Sequence, residues 1–190
     1  RGAALETIEE GAHVLLAESG VSPERVLKTV VVGNPIMIHI LNGIDPAIWN
    51  PQCDAALAAR YDSHNLAMRR ANKRAIESGF GLTPGDGPLF TVISRLSWQK
   101  GMDVLAEQLD TLVALGGRLA LLGTGDRPLE AKFRAAAARH PGRVAVALGY
   151  DEKLSHLLQG GADAILIPSR FEPCGLTQLY GLAYGCVPVA

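Results

Sequence analysis

Near the C-terminal end, Ser169-Arg170-Phe171-Glu172-Pro173-Cys174-Gly175-Leu176-Thr177-Gln178 sets a carboxylate, a thiol, a glycine and a hydroxyl close together. The apolar run before it (residues 164–168, AILIP) reads as a buried parallel strand, and residues 179–184 after it read as a helix. The junction of strand and helix is the edge at which open α/β sheets bind ligands. N–H groups of the first turn, around Gly175, Leu176 and Thr177, have no partner within the helix and share the positive end of its dipole. That combination suits an anion, phosphate above all. Glu172 would repel a phosphate, so it is expected to face a neutral, hydroxyl-bearing part of the same ligand. The stretch therefore reads as a sugar-phosphate site. Cys174 sits where a thiol pKa can fall, but no histidine is near it in sequence, and a contact role is expected rather than covalent catalysis.

Other loops are expected at the same edge. In residues 94–101, SRLSWQKG, Arg95 and Lys100 bracket a strand-to-helix turn and could grip a diphosphate, Arg95 by a forked contact and Lys100 as a point charge. Two solvated surface cations are the plain alternative. Gly123-Thr124-Gly125-Asp126 lacks the third glycine of a dinucleotide fingerprint and reads as a tight turn with Asp126 as N-cap. Tyr150, after Gly149, could stack on a nucleobase or cover the sheet rim. His140 and His156 read as solvent-facing helix residues, and Trp49 and Trp98 as packing residues.

The elements that must position these groups alternate regularly from residue 88 onward. Strands are expected at 89–94, 119–122, 144–148, 164–167 and from 187, with helices at 101–115, 129–139, 153–158 and 176–184. Short links between them predict an α/β, Rossmann-like, doubly wound parallel sheet with right-handed crossovers. Before it, residues 5–18 have helical spacing, 26–32 read as a strand, and 36–41 are a short apolar stretch. Residues 45–62 read as an irregular surface segment, 65–78 as a helix basic along one side, and 79–87 as a Gly/Pro linker.

Composition excludes several classes. A formal net charge of −1 leaves no electrostatic footprint for nucleic acid or an anionic membrane. No apolar run approaches the ~20 residues of a membrane span, and no signal peptide is evident. Three cysteines without Cys-x-x-Cys spacing suggest neither a disulfide framework nor a zinc site, so a reducing cytoplasm is expected. Both ends read as cut, which predicts a fragment.

Taken together, SRLSWQKG (94–101), GTGD (123–126), GY (149–150) and SRFEPCGLTQLYGLAYG (169–185) closely resemble the bacterial glycogen synthase and plant starch synthase family. NGIDPAIWNP (42–51) is similar to that family's lead into its C-terminal domain. The resemblance implies an incomplete C-terminal half of a two-domain GT-B retaining glycosyltransferase. It implies glucose transfer from ADP-glucose to the non-reducing end of an α-1,4-glucan, without metal or other cofactor. It further implies Arg95 and Lys100 on the diphosphate, Tyr150 against adenine, and Gly175, Leu176 and Thr177 donating N–H groups to phosphate and sugar. Glu172 and Cys174 would touch the glucose. Many related retaining transferases carry a second glutamate eight positions after Glu172; here that residue is Tyr180, as is common in this narrower family. Residues 1–41 do not fit the family's pattern and weakly resemble a corrinoid-activating ATPase-like protein. The expected layout is an atypical segment 1–41, an interdomain lead-in with helix and linker at 42–87, and a truncated nucleotide-sugar domain at 88–190. The chain alone is expected to bind donor nucleotide without turnover. A non-catalytic nucleotide-binding module or an inactive joined fragment is the alternative.

Overall fold

A computed structural model describes residues 44–172 and 175–190, and Pro46–Ala190 form one compact unit. The elements expected before residue 44, together with Pro173 and Cys174, lie outside the described residues.

The strand β2 (Arg118–Gly123) shows why the sheet needs helices on both sides: every one of its positions is buried. Successive side chains of a strand point to opposite faces. Leu119 and Leu121 accordingly enter one core with Val92, Leu105, Leu109 and Phe133. Ala120 and Leu122 enter a second core with Ile76, Leu89, Leu158 and Ile165. The first core is closed by α2 (Met102–Ala114) and α3 (Arg127–Arg139), and the second by α1 (Arg69–Phe80) and α4 (Glu152–Gly161).

The remaining strands are β1 (Leu89–Ile93), β3 (Val144–Leu148), β4 (Ala164–Leu166) and β5 (Val187–Val189), with α5 (Leu176–Ala183) between the last two. All pairings are parallel, in the order β3-β2-β1-β4-β5. The chain runs outward from β1 to β3, then crosses back to β4 beside β1. The order therefore reverses between β1 and β4, and loops leaving their C-terminal ends border a topological switch point. Those loops are residues 94–101 and, in its described part, 167–172.

Two segments expected to be loose are fastened. Residues 81–88 are held by Arg118, whose Nη1 donates to the Thr83 carbonyl at 2.8 Å and whose Nη2 donates to those of Gly85 and Gly87 at 2.9 and 2.8 Å. The same guanidinium pairs with fully buried Glu77 of α1, which also takes a bond from Arg74 at 2.7 Å. The linker is thus a pinned loop, because its carbonyls are the acceptors that a buried guanidinium requires.

Residues 46–62 are irregular, as expected, but are no mere surface cover. Trp49 stacks between His156 of α4 and Tyr180 of α5, at centroid distances of 3.9 and 3.7 Å. Beneath it Asp54 Oδ2 accepts the Tyr184 hydroxyl at 2.5 Å and lies 2.7 Å from His156 Nδ1. His156 is only 6% exposed, which corrects its reading as a solvent-facing residue. Its partners, Asp54 and Tyr184, are distant in sequence, and no local pattern shows them. Tyr180 serves as the floor under Trp49.

Burial alone would raise the Asp54 pKa, but the Tyr184 hydroxyl, the Ala56 amide and the His156 ring outweigh it and hold the carboxyl below its usual range. A depressed folded-state pKa contributes stability above the unfolded value and loses it as pH falls through the folded one. Asp54→Asn is therefore expected to cost about 1–3 kcal/mol near neutral pH. Urea unfolding of parent and variant should show this gap narrowing below about pH 4.

Candidate nucleotide-sugar site

The two switch-point loops carry the groups singled out in the sequence. Lys100 Nζ donates to Glu172 Oε2 at 2.6 Å, and Ser169 Oγ donates to the same oxygen at 3.0 Å. The Lys100 and Glu172 side chains are 15% and 25% exposed, so the pair is well shielded from water. Ser94, Lys100, Met102, Ser169, Glu172 and Thr177 line a cavity of about 20 Å³ there, room for about one water molecule. Residues far apart along the chain are brought together by adjacency of β1 and β4.

Glycines make that approach possible. A Cβ on Gly101 would stand 1.8 Å from the Pro168 carbonyl oxygen. One on Gly123 would stand 2.0 Å from the Ser94 oxygen, and one on Gly125 2.2 Å from the Leu96 oxygen. The loop 94–101 is thus held between the β2 loop on one side and the β4 loop on the other. Leu96 completes the clamp, its N–H bonding the Thr124 carbonyl at 3.0 Å and its carbonyl taking the Asp126 N–H at 2.8 Å. Gly-x-Gly is here a packing turn, with Asp126 at the N-cap position of α3, as expected. Asp126 makes no side-chain capping bond; Glu130 instead reaches back to Thr124 Oγ1 and the Gly125 N–H at 2.7 and 3.0 Å.

Gly101 and Gly175 both adopt the left-handed conformation, with φ of 67° and 61°, as N-caps of α2 and α5. The N-cap residue Gly175 offers no capping side chain, and among the described residues the first-turn N–H groups of Leu176 and Thr177 lie at the rim. Thr177 itself lines the cavity. Arg95 is exposed next to Ser94 and forms no ion pair among the described residues. Tyr150, 85% exposed, stands on the rim after β3. Cys174 lies outside the described residues. The structure therefore places Lys100, Glu172 and Thr177 around one cavity, Arg95, Gly175 and Leu176 on its bordering loops, and Tyr150 farther along the same edge.

Sequence reasoning missed the Ser169 hydroxyl on Glu172 and the role of Arg170, described below. It also gave Glu172 no cationic partner. The missing signal is proximity, since residues 100 and 172 are neighbours only once β1 and β4 pair.

A roomier cavity of about 330 Å³ lies at the opposite, N-terminal edge of the sheet, lined in part by Arg69, Arg70, Lys73 and Arg74. Three of these cations have partners: Lys73 on Asp163, Arg74 on Glu77 and Asp86, and Arg69 on the Ala162 carbonyl. That edge carries no strand-to-helix loop, and the C-terminal rim is the better candidate. Among the described residues no helix is long and apolar enough to cross a membrane.

The family model described as glycosyl transferases group 1 matches residues 74–190. The glycogen synthase of Novosphingobium aromaticivorans is 67% identical over 150 residues, 79% of this chain and 31% of that protein. Glycogen synthase 1 of Rhizobium meliloti is 54% identical over 177 residues, 93% of this chain and 36% of that protein. A match over 177 of 190 residues necessarily takes in part of residues 1–41. The likeness of this segment to a corrinoid-activating protein finds no support.

Among solved structures, the catalytic domain of starch synthase IV from Arabidopsis thaliana, bound to ADP and acarbose, superposes with a TM-score of 0.70 at 36% identity. It covers 77% of this chain and 31% of that one. The C-terminal domain of a group 1 glycosyl transferase from Francisella tularensis shares the fold, with a TM-score of 0.51 at 16% identity over 77% of this chain and 69% of that one. The chain spans about a third of the length of the curated relatives it matches. With most of its length matched by the family model, and with the parallel sheet and paired switch-point loops in place, this chain belongs to the glycosyl transferases group 1.

Proposed function

We propose that the chain is the donor-binding part of a cytoplasmic, ADP-glucose-dependent glycogen synthase, a retaining hexosyltransferase that extends an α-1,4-glucan. The observation that carries this is the convergence of Lys100 and Glu172, on separate loops, at one shielded point of the switch-point edge. A cation and a carboxylate side by side suit a ligand with an anionic half and a polyhydroxyl half. Lys100 and Arg95 take the diphosphate and neutralise charge as it departs, electrostatic stabilisation of the kind worth several kcal/mol of barrier. The N–H groups of Gly175, Leu176 and Thr177 add to that anion site, and Tyr150 lies against the adenine. Glu172 and Cys174 contact the glucose, Glu172 supporting the positive charge that develops on the sugar ring. The ADP bound to the similar starch synthase supports a nucleotide ligand.

Without ligand, Lys100 is engaged by Glu172, so a diphosphate must draw the ammonium away. Apparent affinity falls with the fraction of protein in the competent state. Glu172→Gln is therefore expected to tighten ADP binding by about threefold to tenfold, while abolishing any preference for ADP-glucose over ADP. Calorimetric titration of parent and variant with both ligands checks this. Equal affinity of the parent for the two would favour a simple nucleotide binder, and no ADP binding would end the nucleotide reading altogether.

A further inference from the structure

Arg170 stands between the two switch-point loops and grips the opposite one at several points. Its Nη1 and Nη2 donate to Oδ1 and Oδ2 of Asp103, in the first turn of α2, at 2.6 and 2.8 Å. Nη1 also donates to the Trp98 carbonyl at 2.7 Å. The guanidinium carbon lies 4.4 Å from the centroid of the Trp98 ring, within range of a cation–π contact. The backbone N–H of Arg170 meets the Gln99 carbonyl at 3.0 Å. Residues 98–103 are thus fastened to 170 by a fork, a stack and a main-chain bond, directly beside the pairing of 100 with 172. Among the described residues the other polar side-chain link outside that pairing is a long one, Gln99 Nε2 to the Phe171 carbonyl at 3.4 Å.

A partly exposed ion pair contributes little net stability, commonly under ~1 kcal/mol. Its directional content is another matter, because a planar fork on a carboxylate fixes both distance and angle. From this geometry, and resting on the donor-binding reading above, we propose that Arg170 is a positioning residue. It sets the register of Lys100 against Glu172, and with it the spacing at which diphosphate and glucose are held. It touches neither ligand itself. A lysine at 170 would keep the charge but could not fork or lie flat on the indole.

The test uses the 190-residue chain with ADP as probe. Arg170→Lys and Arg170→Ala are both expected to weaken ADP binding by about tenfold, since small misplacements in a preorganised site are costly. Their thermal midpoints should stay within about 2 °C of the parent. Combining Arg170→Ala with Asp103→Asn should weaken binding no further than Arg170→Ala alone, as the two side chains form one contact. Arg139→Ala breaks a comparable exposed pair, with Asp110 at 3.0 Å, remote from the site, and should leave ADP affinity unchanged.

Arg170→Lys binding ADP within twofold of the parent would overturn the proposal. So would midpoints that fall in step with affinity, which would mark a merely structural role. If the parent itself does not bind ADP, the donor-binding reading fails and the latch is judged by amide exchange at Lys100 and Gly101. Exchange there should quicken by about tenfold or more in Arg170→Lys, and an unchanged rate would overturn it.

Discussion

Arg118→Ala is expected to lower the free energy of unfolding by about 3–5 kcal/mol, the cost of stripping one partner from a buried ion pair. Arg118 opens the fully buried strand β2, and its guanidinium is the donor for three loop carbonyls as well as for Glu77. With it gone, the Glu77 carboxylate stays buried with only Arg74, itself partly exposed, and the Gly85 amide as partners. The Thr83 carbonyl loses its donor at the same time, while those of Gly85 and Gly87 keep only Arg74 and Lys73. A domain of marginal stability, ~5–15 kcal/mol in all, would be brought close to unfolding. Urea denaturation near neutral pH gives the number, and a loss below about 1 kcal/mol would show that the cluster is replaceable by water.

Acid provides an independent reading of the same cluster. Burial pushes the Glu77 pKa up, but the bonds from Arg74, Arg118 and Gly85 more than offset it, so the carboxyl titrates below its ordinary range. Its contribution is then complete above the unfolded carboxylate pKa and disappears as pH falls through the folded one. Arg118→Ala should flatten that acid dependence. Replacing both partners with apolar residues of similar volume, Arg118→Met with Glu77→Leu, should recover much of the loss, as for other buried pairs.

Lys100→Ala is expected to cost about a hundredfold in ADP affinity, roughly 2.7 kcal/mol, within the range of a charge-assisted hydrogen bond. Two effects combine. The ammonium is removed from the diphosphate, and Glu172, three-quarters buried, is left without its 2.6 Å partner and facing the incoming anion. Arg95→Ala should cost less, because Arg95 is exposed and its removal uncovers no carboxylate. Glu172→Gln placed on top of Lys100→Ala should restore a good part of the affinity. Calorimetry on the four proteins of this cycle gives the coupling between the two side chains directly. Additive effects would mean that the contact does not govern access to the anion site.

The alternation of strands and helices from residue 88 onward was legible because buried parallel strands read as near-continuous apolar runs, LFTVI and LALLG among them. The rim loops were legible because glycine, cations and a carboxylate recur just after those runs. What escaped notice shares one physical cause. The Arg170–Asp103 fork, the Asp54–His156–Tyr184 cluster and the Arg118–Glu77 pair each join residues that only the folded chain brings together. His156 is a polar residue in a short helix and looks solvent-facing, yet Trp49 covers it from a segment more than a hundred residues earlier. Arg118 offered a hint that could have been followed, a cation abutting an apolar strand with Glu77 and Arg74 paired three apart on α1.

Close glycine-to-carbonyl contacts on both sides, Gly101 on Pro168 and Gly123 and Gly125 on Ser94 and Leu96, leave the main chain of the loop 94–101 nowhere to go. Diversification of this edge within the fold is thereby channelled into outward side chains such as those at 95 and 98. A change of ligand preference at this edge is therefore expected from repainting the loop with new side chains, not from reshaping it.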